Sequence, residues 1–130
     1  MLWVEVFAVF GVCHLAGDFI LQTEWQATRK FGGLGCDGSA KRALLAHTVS
    51  YTLAFVPAFV WLWPEDGAWV LLLAALLFAT HAAIDDGRGA HWYCRRVKRT
   101  DPARNPVVVA AVDQTFHILV LFGLALLAVV

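Results

Sequence analysis

The chain has 130 residues, 60% of them hydrophobic, with a formal net charge of zero. Its mean hydropathy of +0.67 and its apolar content exceed those of ordinary soluble domains, where about half the residues are apolar. The length excludes a second domain, so residues 1–130 form one domain that lies almost wholly in a bilayer.

A helix crosses a bilayer with roughly 20 apolar residues. Four stretches meet or approach this length: Leu2 to Gln22, Ala43 to Trp63, Ala68 to Ile84, and Val107 to Val130. The first has no basic start, carries Glu5, and lacks a small residue before Cys13, so it reads as a retained helix and not as a cleaved signal. It continues past the membrane through Gln26 towards Lys30 and stops at Gly32-Gly33. Asp37 or Ser39 is placed to cap the second helix, and Pro57 to kink it. Pro64 and Gly67 predict a tight turn before the third helix. That helix is short unless it runs on to about Ala90, past Gly87 and Gly89. Pro106 fits the first position of the fourth. The expected fold is therefore all-α, a four-helix transmembrane bundle with helices at about 2–28, 40–63, 67–90 and 106–130. The cysteines, Cys13, Cys36 and Cys94, are odd in number and fit no disulfide framework.

The ten basic residues fall in two loops, one flanked by Arg29, Lys30, Lys41 and Arg42, the other holding Arg88, Arg95, Arg96, Lys98, Arg99 and Arg104. The loop between them carries only Glu65 and Asp66. The positive-inside rule places the basic loops in the cytoplasm and both termini outside. Trp3, Trp61, Trp63 and Trp69 then mark the outer interface, and Trp25 and Trp92 the inner one.

Against this apolar background stand seven ionisable groups. His14 and Asp18, His81 and Asp85, and Asp113 and His117 are each four residues apart, and His47 stands alone in the second segment. A spacing of four places both side chains on one helix face. An aspartate at the centre of a membrane helix costs at least ~2.5 kcal/mol, so seven such groups need a common reason. Counting 1.5 Å of rise per residue from the cytoplasmic end puts all seven at depths of ~6–16 Å, one layer in the cytoplasmic half. Each pair places its aspartate nearer the cytoplasm. His91, beside Trp92 in a basic loop, reads instead as interfacial and solvated.

Such a layer is expected to hold a metal. Imidazole and carboxylate together suit a divalent transition metal, zinc first, with iron or manganese as alternatives, over magnesium or calcium. Seven groups exceed one tetrahedral zinc. Either two ions share His14, Asp18, His47, His81, Asp85, Asp113 and His117, or some of the carboxylates orient histidines.

His14-Leu15-Ala16-Gly17-Asp18-Phe19-Ile20-Leu21-Gln22-Thr23 with Lys30, Leu44-Leu45-Ala46-His47, His81-Ala82-Ala83-Ile84-Asp85 and Asp113-Gln114-Thr115-Phe116-His117 resemble a family of small bacterial and phage membrane proteins, domain of unknown function 3307. The resemblance spans nearly the whole chain and implies a location in a bacterial cytoplasmic membrane. The family usually has an aromatic residue after the third-helix aspartate and a lysine three residues beyond it; Asp86 and Arg88 stand there. The family supplies no activity to carry over.

The leading expectation is a metal-dependent hydrolase of a lipid-linked phosphoester. Asp18 and Asp85, nearest the cytoplasmic mouth, are its candidate acid–base groups. Gln22, Lys30, Arg42, Arg88 and Gln114 are candidates for holding the substrate. The alternatives are a carrier of divalent metal or protons, a bis-histidine haem bundle, to which the aspartates are ill suited, and a small membrane scaffold whose polar layer fixes helix packing. The bilayer and a lipid-linked phosphate are the expected partners, and nucleic acid is not. The sequence leaves open the oligomeric state and whether the chain is an enzyme.

Overall fold

The structure, a computed structural model, describes residues 1–129. Among them it is all-α, with no strand. In chain order come α1 (Trp3–Leu15), a π-helical turn (Ala16–Ile20), α2 (Glu24–Arg29), α3 (Gly38–Ala54), α4 (Val56–Asp66), α5 (Trp69–Asp85), α6 (Arg88–Arg96) and α7 (Pro106–Leu127).

Three of the four expected helices are broken. The first winds out through the π turn, closed by Leu21 N–H donating to the Ala16 carbonyl at 2.9 Å, and ends there. Thr23 starts α2 with a reciprocal cap: its hydroxyl accepts from Gln26 N–H at 3.3 Å, and Gln26 Oε1 accepts from Thr23 N–H at 2.9 Å. The second bends by 54° between α3 and α4, at the position Pro57 predicts, because proline has no N–H to give the preceding turn. Pro64 lies inside α4, so the expected Pro64–Gly67 turn starts later. Gly67, at a positive φ of 53°, makes it with Ala68. The third bends by 55° between α5 and α6. Gly87 sits there at φ 78°, and a Cβ on it would lie 2.7 Å from the Phe31 ring. Backbone and packing both demand glycine. Asp37 caps α3, its carboxylate accepting from Ser39 and Ala40 N–H. The Ala40 and Ser39 N–H groups hold its carboxyl below the usual range.

Two continuous helices, Trp3–Ile20 and Pro106–Leu127, are long and apolar enough to cross a membrane, and the count is four if each bent pair is one span. Val130, the last residue of the fourth predicted segment, lies outside the described residues. The outward faces are strongly apolar: Val12, Ile20, Leu53, Val60, Leu71 and Val107 are all more than 60% exposed. Water does not tolerate a continuous surface of this kind, and lipid does.

The interior divides along the helix axes. Towards the termini, Val6, Phe10, Phe55, Leu62, Leu73, Leu77 and Leu121 make a dry core. Towards the basic loops, Ala90 and Cys94 of α6 pack on Val112 of α7. The polar layer lies between them. Cys13 and Cys94 are buried free thiols and Cys36 is an exposed one.

Candidate metal centre

Three helices, α3, α5 and α7, and the π turn bring six of the seven groups together as ligand sets. Asp18, His47, His81 and Asp85 form one group, and Asp85, Asp113 and His117 a second, each with a ligand atom from every member within 4.8 Å of the others. Asp85 belongs to both. Its Oδ2 is 2.7 Å from His47 Nε2 and 3.1 Å from His81 Nε2, and its Oδ1 is 3.4 Å from His117 Nε2.

The first group has the proportions of a metal site. With bonds of ~2.05 Å, neighbouring ligand atoms around tetrahedral zinc lie ~3.3 Å apart. His47 Nε2 and His81 Nε2 are 3.0 Å apart. Asp18 Oδ1 lies 3.3 Å from the first and 3.8 Å from the second. With the Asp85 distances, these values bracket the tetrahedral edge.

His117 carries the mark of a ligand in its hydrogen bonds. Its Nδ1 donates to the Asp113 backbone carbonyl at 2.9 Å, which leaves Nε2 as the lone-pair nitrogen, buried and without a hydrogen-bond partner. Metal-bound histidines are held in this way, the far ring nitrogen donating to a carbonyl or carboxylate. The buried Asp18 Oδ1 also has no partner. Unmet lone pairs in a dry interior are costly unless a cation takes them.

His14 has a different place. Gln114 Nε2 donates to Asp18 Oδ2 and Asp113 Oδ2, both at 3.4 Å. Two carboxylates thus fix the amide, and its Oε1 accepts from His14 Nε2 at 2.9 Å. His14 Nδ1 must then accept from the Tyr51 hydroxyl, 3.0 Å away. Both nitrogens are engaged, so His14 lies outside both ligand groups. Its Nδ1 is 3.5 Å from Asp18 Oδ2. Tyr51 did not stand out in the sequence. It packs flat on the His81 ring, with centroids 3.4 Å apart. The available signal was its spacing: Tyr51 follows His47 by four on α3, the interval that marked the other pairs.

The π turn makes this packing possible. A Cβ on Gly17 would lie 2.6 Å from Tyr51 Cδ2, so only glycine lets the backbone beside Asp18 approach the ring. Single π turns recur at functional sites because they re-aim one side chain.

Of the residues expected to hold substrate, Lys30 lies closest to the centre. Its ammonium donates to Asp85 Oδ2 at 2.6 Å. Gln114 is the internal bridge just described. Arg88 is exposed and tied to Asp86 through Nε and Nη2, at 2.5 and 3.2 Å. Gln22 is half-buried, and its Nε2 has no partner. Arg42 is exposed at the start of α3, its Nε donating to the Gly38 carbonyl at 3.3 Å. Asp86, where the resemblance calls for an aromatic residue, ties the first basic loop to the end of α5. Its carboxylate accepts from Leu34 N–H and its backbone carbonyl from Gly32 N–H, both at 2.8 Å.

A cavity of about 450 Å3 opens beside the centre, lined by Lys30, Phe31, Asp85, His91 and Asp113 among others. Asp113 has the more accessible carboxylate, its side chain 24% exposed against 2% for Asp85. Asp18, an expected acid–base group, does not line this cavity.

No curated protein and no solved structure matches the chain. The family described as "Protein of unknown function (DUF3307)" matches residues 6–130. With essentially the whole chain matched, the protein belongs to that family, as its four His/Asp motifs led us to expect.

Proposed function

We propose that the chain is a four-helix transmembrane bundle, N-out and C-out in a bacterial cytoplasmic membrane, that acts as a metal-dependent hydrolase on a lipid-linked phosphoester. The observation that carries this reading is Asp85, a carboxylate common to two ligand groups and open to a cavity from the basic end. A carrier would use the same ligands but needs a polar route across, and the half towards the termini is filled by Phe10, Phe55, Leu73, Leu77 and Leu121.

The buried charges suit a divalent cation. With neutral imidazoles, the carboxylates of Asp18, Asp85 and Asp113 and the Lys30 ammonium leave two negative charges. One divalent ion neutralises them, and a second calls for a bound dianion such as a phosphate. Low dielectric makes this balance matter, because unpaired buried charge costs several kcal/mol. His47, His81, Asp18 and Asp85 would hold the first ion, and Asp85, His117 and Asp113 a second. Bound there, the metal would supply Lewis-acid polarisation of a phosphoryl oxygen and activation of water. Lys30 lines the cavity and is placed to pair with a phosphate oxygen. Asp113, facing the same cavity, is placed to accept a proton, a role the sequence suggested for Asp18 and Asp85. Buried Asp18 is better suited to holding metal.

The test is elemental analysis of the purified protein, followed by assay in liposomes against phospholipids and prenyl phosphates. Metal and metal-dependent phosphate release are expected together. Asp113→Asn keeps an oxygen ligand but loses the base, so metal should stay while activity falls ~10²–10⁴-fold, the usual worth of general acid–base catalysis. Metal-loaded protein that cleaves nothing but moves divalent ions or protons across the bilayer would transfer the assignment to a carrier. If it does neither, the scaffold reading stands.

A further inference from the structure

Helix α6 carries a second feature, separate from the metal ligands. Arg88, His91, Trp92, Arg95 and Arg96 fall at positions i, i+3, i+4, i+7 and i+8, one face of the helix. The opposite face, Ala90 and Cys94, is buried against α7. The basic face lines a cavity of about 460 Å3 that Phe31 closes from the first loop. Phe31 packs on His91 with ring centroids 4.8 Å apart. Its place depends on Gly87, where any Cβ would strike the ring. The cavity wall is therefore fixed by packing.

Among the described residues, no acidic group lies within 4.0 Å of a side-chain nitrogen of Arg95 or Arg96. Arg88 spends Nε and Nη2 on Asp86. Two uncompensated guanidinium groups thus share one concave site with a third, and their mutual repulsion favours an anion between them. Guanidinium forks match phosphate oxygens in pairs. Trp92, 60% exposed, suits the headgroup level of a bilayer. Phe31 and His91 also line the cavity that reaches Asp85 and Asp113, so the two spaces adjoin.

We infer that the Arg88–Arg95–Arg96 cavity is a phosphate-recognition site, which takes a phosphate group, whether of a lipid headgroup or free, at the membrane surface and sets it beside the metal centre. The link to hydrolysis rests on the function proposed above, and the binding of phosphate does not.

The test uses the full chain in nanodiscs of neutral phosphatidylcholine, titrated with inorganic phosphate and, separately, with dihexanoyl phosphatidic acid. The readout is Trp92 fluorescence, isolated by subtracting the Trp92→Phe signal. Saturable binding is expected. Arg95→Gln/Arg96→Gln should weaken it at least about tenfold, the worth of one charge-assisted hydrogen bond. Lys98→Gln/Arg104→Gln removes the same charge outside the cavity and should change it by less than about twofold, since exposed charges at a distance are screened. Tighter binding of the short-chain lipid than of inorganic phosphate identifies a headgroup; equal binding identifies a free phosphate; either outcome supports the site. Equal weakening by both double substitutions, or a response that never saturates, reduces the cluster to diffuse surface charge and overturns the inference. Metal content measured on the same samples separates the two proposals. Binding that survives in protein without metal or activity sinks the hydrolase and leaves this site standing.

Discussion

At the scale of single residues, identical side chains have unlike tasks because their second atoms are engaged differently. His117 donates from Nδ1 to a backbone carbonyl and keeps Nε2 free. His14 spends both nitrogens on Tyr51 and Gln114. The expected outcome is a graded loss of metal across alanine variants. His47→Ala and His81→Ala should each strip the first site, and His117→Ala the second. His14→Ala should leave the stoichiometry intact while weakening affinity by about 10–100-fold, as loss of an orienting partner does. Asp85→Asn should weaken both sites. Elemental analysis of the purified variants checks this, and equal loss from His14→Ala and His81→Ala would return His14 to the ligand set.

At the scale of elements, the breaks matter as much as the helices. The π turn, the bend after Asp85 and the Thr23 cap all sit at the end that carries the basic loops, next to the polar layer. The π turn carries both Asp18 and Gly17, and Gly17 is the residue that lets its backbone lie against the Tyr51 ring. Gly17→Ala would place a methyl group 2.6 Å from a ring that His81 already supports from one side, so the ring has little room to yield. A destabilisation of about 1–3 kcal/mol is expected, typical of overpacking, with metal content reduced as well. Gly11→Ala is the control, because nothing lies within 4 Å of its added Cβ. Thermal unfolding in detergent, read beside metal content, distinguishes the two.

At the scale of the whole molecule, polarity is stacked along the helices: a dry core towards the termini, the ionisable layer, then the basic loops. The proposed topology sets this stack in the bilayer with the basic loops in the cytoplasm. A reporter fused after Val130 should therefore read as extracytoplasmic, and one inserted beside Arg99 as cytoplasmic. A cytoplasmic signal from the C-terminal fusion would invert the topology and move the mouth of the site to the outer face.

The sequence alone determined that the chain is helical, that it has segments long and apolar enough to cross a membrane, that His and Asp recur in them at helical spacing, and that it belongs to its family. These are properties of composition, of the four-residue helical interval, and of linear motif order. It also carried the Pro57 bend and the Asp37 cap, since both act within a few residues. Tertiary structure decided which groups meet. The spacing of His14 and Asp18 is the same as that of His81 and Asp85, yet one histidine orients and the other converges on the ligand set. The difference comes from Gln114 and Tyr51, far away in the chain. Lys30 reads as an interfacial cation in sequence, and it reaches Asp85 only because Thr23 restarts the helix after the π turn. Periodicity gives a residue its depth and face, but not its rotation about the helix axis relative to a neighbouring helix. That rotation is set by packing, here by a missing Cβ at Gly17.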